Sequence, residues 1–529
     1  MTASLLHELV DASARTWPDR PAVSDGRQTL THRELARHSR RLADALHALG
    51  LRRGDRMVVA LPTGALVPAL AFAASRIGVA FSLVHEQVRG VPLDHVLDDC
   101  RPALLVSDDT DALRAARRRG LGGITPEALS EAADRSAPRG DAATPPLTVD
   151  PLCLIYTSGT TSAPKAVVST HAQALFALSA IQSVLGYRPD DTVYCPLPLS
   201  FDYGLYQVFL AVLSGAQVRL GQARDTGPAL LNRLLECEAT VLPLVPSLGD
   251  QLAWLLRRAA GRRPPLRLLT NTGAAISAPT LAALRERLPG VRIHLMFGLT
   301  ECKRATIMPA DGDLERPDSC GRPLPGTEVV ACDDDGVPLP PGEIGELVVR
   351  GPHVMAGYWR RPDLTAQRFP RREGLFPELR TGDYGWTDAD GYVYFDGRRD
   401  DLYKQSGFRV STTEVEAAAR RVPGVRGAVV LPPEDTHRAE LVVVADLEPA
   451  RLLTLMREQI EPAKIPPRCT AVADFPLNRN GKVDRRALRD RVRAPDREGA
   501  GRRPARDTTG QGPISPPVGP APGPAATAE

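Results

Sequence analysis

Between residues 31 and 77 the apolar positions change period twice. THRELARHSRRLADALHALG sets Leu35, Leu42, Ala45, Leu46 and Leu49 on one stripe at helical spacing, with charged residues opposite. Thr31 and Glu34 have the spacing of a capping box, and Gly50 supplies a left-handed stop. The run MVVALP that follows is short and continuously apolar, as a strand buried on both faces requires. VPALAFAASRIG then returns to helix. This alternation continues through most of the chain and predicts an α/β core with mainly parallel sheets.

From about residue 318 the texture changes. DSCGRPLPGTEVVACDDDGVPLPPGEIGELVVRG has short β-rich runs between Pro/Gly turns, which predicts hairpins and a β-rich subdomain. YVYFDGRRDDLYKQSGFR is a charged, glycine-bearing connection. Beyond it stand a helix capped by Ser411 with Glu414, the strands VRGAVVLP and ELVVVADL, a helix near LLTLMREQI, and a terminal loop and helix. The pattern predicts a large N-terminal domain over 1–399 and a small α+β C-terminal domain over 400–493. From Ala494 to the end, Ile514 and Val518 are the only branched apolar residues, so 494–529 is expected to be a disordered Pro/Gly/Ala-rich tail.

Composition narrows the class. The 529 residues are 43% hydrophobic and 24% charged, ordinary for a soluble globular enzyme. A formal net charge of +3, with arginine, alanine and proline abundant throughout, implies no nucleic-acid surface. The eight cysteines are scattered without any CxxC, as expected for free thiols in a reducing cytoplasm. MTASLLHELVDASARTW has acidic residues early and no apolar core, unlike a signal peptide. No run approaches the ~20 apolar residues of a membrane span.

The chemistry begins at YTSGTTSAPK, residues 156–165, between the apolar runs LCLI and AVV. Small hydroxyls, a glycine and a lysine suit phosphate. A Walker loop, however, runs G-x-x-x-x-G-K-[ST] into a helix. Here Pro164 precedes the lysine, no Ser/Thr follows it, and the next residues are β-branched. A strand–turn–strand clasp for a polyphosphate is the better reading.

MFGLTE (296–301), RTGD (380–383), GRRDD (397–401), SGFR (406–409) and NGK (480–482) follow in that order. With YTSGTTSAPK they make the chain resemble the AMP-forming adenylating enzymes: acyl-CoA synthetases, adenylation domains of nonribosomal peptide synthetases, and firefly luciferase. The resemblance runs from about residue 5 to 493. It implies activation of a carboxylic acid by ATP to an acyl-adenylate with loss of pyrophosphate, then transfer to a thiol. ATP and Mg²⁺ are the implied cofactors, and CoA or a carrier protein's phosphopantetheine the implied acceptor.

The resemblance also implies residue roles. Thr157, Ser158, Gly159, Thr160, Thr161 and Lys165 would hold the β- and γ-phosphates. Glu301 would ligate Mg²⁺ and Thr300 would contact the α-phosphate. Asp383 would accept from the ribose hydroxyls, with Arg398 nearby. Gly273, Ala274 and Ala275 in NTGAAI would leave room for adenine. Lys482 would reach from the C-terminal domain to bridge substrate carboxylate and phosphate. Asp400 matches a hinge about which that domain rotates, which makes it mobile. Gly407 and Arg409 match the region near the incoming pantetheine.

Two departures stand out. Ser162 and Ala166 replace glycines of the family loop, which would cost roughly 1 kcal/mol wherever a left-handed backbone is required. Asp202, in PLSFDYGLYQ, stands where amino-acid-activating relatives carry an aspartate for the substrate's amino group. GRRDDLYKQSGFRVSTTEVE instead resembles the acyl-CoA ligase version of its motif. The expected activity is an acyl-CoA-ligase-type acid–thiol ligase. The alternatives are a free-standing amino-acid adenylation enzyme loading a separate carrier protein, and a non-catalytic relative of the same fold.

Overall fold

The computed structural model describes residues 3–137, 144–157, 164–222, 225, 227–259, 261–372, 376–398, 402–405, 408–434, 437–460, 462–478 and 482–493. The first helix of the periodicity argument is His32–Ala48, with both halves of the Thr31–Glu34 capping box formed. Leu35, Leu42, Ala45 and Leu46 are buried on it. Leu49, assigned above to the same stripe, is 44% exposed. It is the C-cap residue, and the chain turns away at Gly50 with φ +96° before another turn could bury it.

Among the described residues, two large sheets carry the N-terminal part. A seven-stranded sheet runs parallel from Gly122–Ile124 through Leu104–Ser107, Arg56–Ala60 and Ala80–Leu83 to Pro151–Thr157. Its far edge is antiparallel: Lys165–Thr170, then Gly357–Tyr358. The second sheet has 14 strands. Six pair in parallel, including Val241–Leu244, Leu268–Asn271 and Arg292–Phe297. The sheet then continues without a break into antiparallel strands, from Thr306–Ile307 through Ser319–Pro323 to Phe376–Thr387 and Val393–Arg398. Parallel pairing thus gives way to antiparallel between Phe297 and Thr306, a little before the change of texture at 318. Helices pack on the parallel strands, and one apolar core joins them, with Phe72, Phe81 and Phe209 each at or below 1% exposure. Further along, Val425–Leu431, Glu440–Ala445 and Arg468–Ala471 form a three-stranded sheet with its own core around Val415, Val430, Leu441 and Leu452.

The core also contains histidines. His32, His171 and His353 are 0%, 1% and 0% exposed. Burial pulls each imidazole down to about 4. The unfolded chain, titrating near the usual 6.5, then binds protons that the fold refuses. Stability from these groups is complete above pH 6.5 and is lost as pH falls toward 4, at up to roughly 1.4 kcal/mol per pH unit per histidine. The melting temperature is therefore expected to be level from pH 8 to 7 and to fall by several degrees by pH 5. Thermal denaturation followed by circular dichroism checks this; a curve flat to pH 5 would contradict it.

Candidate active site

Strands Pro151–Thr157 and Lys165–Thr170 pair from Pro151 opposite Thr170 to Thr157 opposite Lys165. The two ends of YTSGTTSAPK therefore meet as antiparallel strands. Ser158, Gly159, Thr160, Thr161 and Ser162 lie outside the described residues. Both arms are anchored. Tyr156 donates to Asp99 Oδ2 at 3.0 Å, and Arg361 donates to Asp99 Oδ1 at 2.8 Å. His95 Nε2 donates to Pro164 O at 2.7 Å, and Thr157 Oγ1 to Lys165 O at 3.3 Å. Ala166 sits in the extended strand opposite Tyr156, without a positive φ. The strain anticipated there is absent, because any residue adopts extended backbone.

Strand Arg292–Phe297 ends the parallel run, and the chain folds back at once. Gly298 permits it: a Cβ there would lie 2.2 Å from Lys303 O. The fold-back presents Thr300 half-buried and Glu301 7% exposed, at the carboxyl end of the parallel strands where α/β proteins bind ligands. Glu301 Oε1 accepts from the Tyr358 hydroxyl at 2.7 Å. The Lys165 ammonium lies 4.1 Å from the centroid of the same tyrosine ring. Burial lowers the Lys165 pKa, and the Glu301 carboxylate opposes that shift.

Asp383, 1% exposed, lies in strand Phe376–Thr387 opposite Arg398. Its N–H donates to Thr381 Oγ1 at 3.1 Å, and Arg368 donates to Thr381 O. After strand Leu268–Asn271 the chain turns at Gly273 with φ +93°, leaving Ala274 and Ala275 exposed. A Cβ on Gly273 would lie 2.9 Å from Lys482 Cε. The positive φ favours glycine there, and its missing side chain leaves space that the tip of Lys482 enters. Lys482 is held in its own loop by reciprocal bonds: its N–H donates to Asn478 Oδ1 at 3.1 Å, and its carbonyl accepts from Asn478 N at 2.7 Å. The structure thus brings Lys482 to the NTGAAI loop from the far end of the chain. Arg409 falls opposite Lys404 in a short hairpin, whereas Asp400 and Gly407 lie outside the described residues.

Asp202, anticipated above as a substrate-binding residue, stands in a buried cluster whose cations were not anticipated. Asp202, the first residue of helix Asp202–Ser214, is 4% exposed. Lys303, 1% exposed, places Nζ 3.9 Å from Asp202 Oδ2 and donates to Thr300 O at 3.1 Å. Arg304, 5% exposed, stacks its guanidinium 4.6 Å above the Tyr203 ring. Tyr203 is tied in turn to Thr270 O at 2.9 Å. Two adjacent cations after an apolar strand were the available signal; the burial of Lys303 against Asp202 and of Arg304 over Tyr203 was not. Cys302 between Glu301 and Lys303 is a core residue, packed with Val167, Ala305 and Met355, and burial pushes its thiol up to about 12.

A phosphate-type hairpin, a Thr-Glu pair at the end of a parallel sheet, a buried aspartate in TGD and a lysine arriving from the C-terminal part stand together on an α/β fold. This is the organisation of adenylate-forming enzymes. The family model described as "AMP-binding enzyme" matches residues 10–359, and the chain belongs to that family. It is 30% identical over 528 residues to the salicylyl-CoA synthase / salicylate adenylyltransferase of a Streptomyces species, covering 93% of each chain. It is 33% identical over 495 residues to CymA of Salinispora arenicola (strain CNS-205), described as a "probable non-canonical nonribosomal peptide synthetase", covering 90% of this chain but spanning only 6% of that relative. Among solved structures, VinN in complex with L-aspartate superposes with a TM-score of 0.69 at 40% identity, covering 74% of this chain and 98% of that one. No helix among the described residues is long and apolar enough to cross a membrane.

Proposed function

We propose that this adenylate-forming ligase activates an amino-bearing diacid of the aspartate type and passes the acyl group to a pantetheine thiol. The carrying observation is the buried cluster of Asp202, Lys303 and Arg304. With an amine-free acid Asp202 meets only Lys303, at 3.9 Å. A simple α-amino acid brings no anion for the two buried cations Lys303 and Arg304, of which only Lys303 is paired with Asp202. A zwitterionic diacid supplies an ammonium for Asp202 and a second carboxylate for Lys303 and Arg304. The likeness to a protein solved with L-aspartate supports the same reading.

In the first half-reaction a substrate carboxylate oxygen attacks the α-phosphorus of ATP and pyrophosphate leaves. Two anions must meet, so the site needs positive charge where negative charge gathers. Lys482 supplies it at the substrate carboxylate and α-phosphate; Lys165 and the hairpin hydroxyls supply it at the departing phosphates. Asp383 and Arg398 hold the ribose, and Gly273, Ala274 and Ala275 border the adenine. Glu301 fits a metal site of the Mg²⁺ kind: a single buried carboxylate, with no group of three or more His, Cys, Asp or Glu among the described residues to cage a metal. When bound, Mg²⁺ neutralises phosphate oxygens. In the second half-reaction the thiol sulfur attacks the acyl carbon and AMP departs with the C–O electron pair. For that step residues 400–493 turn about Asp400, withdrawing Lys482 and admitting the pantetheine past Gly407 and Arg409.

Acid-dependent ATP–pyrophosphate exchange with L-aspartate, β-alanine, L-alanine, salicylate and a fatty acid tests the substrate class. L-Aspartate is expected to exceed the amine-free acids by at least tenfold; strongest exchange with salicylate or the fatty acid would overturn the reading. Thioester formation with CoA and with a holo-carrier protein then separates the two acceptors.

A further inference from the structure

Tyr358 stands where three parts of the site meet. It ends the short strand Gly357–Tyr358, which pairs with Val167 and Val168 of the phosphate hairpin, and it is 5% exposed. Its hydroxyl donates to Glu301 Oε1 at 2.7 Å. Its ring carries the Lys165 ammonium 4.1 Å from the centroid. The phenol oxygen also meets Arg368, which donates to Thr381 O in RTGD. A core tyrosine needs one partner for its hydroxyl. This one touches the hairpin lysine, the Thr-Glu carboxylate and the arginine beside the ribose aspartate.

We propose that Tyr358 is a positioning residue for the Mg²⁺·ATP cradle, its hydroxyl orienting Glu301 toward the metal and its ring keeping the Lys165 ammonium beside the path of the phosphates. The inference rests on the reading of Glu301 as the Mg²⁺ ligand. A buried carboxylate with one oxygen held has one orientation to offer; with neither held it has several. The ring–ammonium contact keeps the lysine near the site before the phosphates arrive.

The test is ATP binding by calorimetry on the full chain, with Mg²⁺ titrated at fixed ATP. Tyr358→Phe keeps the ring and removes only the hydroxyl. It is expected to raise the half-saturating Mg²⁺ about tenfold, the loss of a hydrogen bond to a charged group, and to leave ATP binding in excess EDTA unchanged. Tyr358→Leu is expected also to weaken the metal-free binding severalfold. In a Glu301→Gln background Tyr358→Phe is expected to add nothing, because the two act through one carboxylate. Wild-type Mg²⁺ dependence in Tyr358→Phe, or additive effects of the two substitutions, would overturn the proposal. If Glu301→Gln itself leaves the Mg²⁺ dependence unchanged, the metal-ligand reading falls and takes the proposal with it. If Glu301→Gln shifts it and Tyr358→Phe does not, only the tyrosine assignment falls.

Discussion

Lys482→Ala is expected to lower acid-dependent ATP–pyrophosphate exchange by about a thousandfold or more, while ATP binding stays within a few fold of wild type. The asymmetry follows from where the charge acts. Lys482 approaches Gly273, on the loop that follows strand Leu268–Asn271, rather than strands Pro151–Thr157 and Lys165–Thr170, where the proposed mechanism puts the phosphate end. In the proposed mechanism its ammonium meets negative charge that develops only when carboxylate and α-phosphate are brought together. Little binding energy for ATP alone passes through it, and much of the transition-state stabilisation does. The removed side chain is half-buried and belongs to a surface loop, so the variant should fold. Exchange within tenfold of wild type would sink the mechanism. Equal loss of ATP binding and exchange would place Lys482 in ground-state binding instead.

Asp202→Asn is expected to cut exchange with L-aspartate by about a hundredfold or more, through loss of the charge that meets the substrate's ammonium. The substitution also leaves Lys303, 1% exposed, without its opposite charge. Breaking one partner of a buried pair costs about 3–5 kcal/mol, so the melting temperature should fall as well. Asp202→Asn combined with Lys303→Met separates the two effects. It removes the stranded cation, so stability should recover substantially while exchange with L-aspartate does not. Recovery of both would make the pair structural, and unchanged exchange in Asp202→Asn would remove Asp202 from recognition.

Local patterns read true where local physics decided the outcome. The Thr31–Glu34 capping box, the Ser411 cap and the strand pairing at the two ends of YTSGTTSAPK each depend on neighbours within a few residues, and each is present. Leu49 failed because periodicity gives the face of a helix but not the residue at which the chain leaves it. Ala166 was charged with strain because a missing glycine was counted without knowing its backbone angles; the strand removes the cost.

Contacts between distant segments were of a different kind. Tyr358 and Glu301 are 57 residues apart, and no spacing rule joins them. Lys303 followed a motif closely and had no explanation until helix Asp202–Ser214 set Asp202 against it. The order and chemistry of the motifs were enough to determine the α/β class and the adenylate-forming family, because phosphate, ribose and metal demand particular residue types wherever they are bound. The tertiary structure alone decided which charges are buried together, since that depends on strands and helices that meet only after the chain has folded. The proposed substrate recognition at Asp202 and the proposed metal-binding role of Glu301 both rest on such meetings.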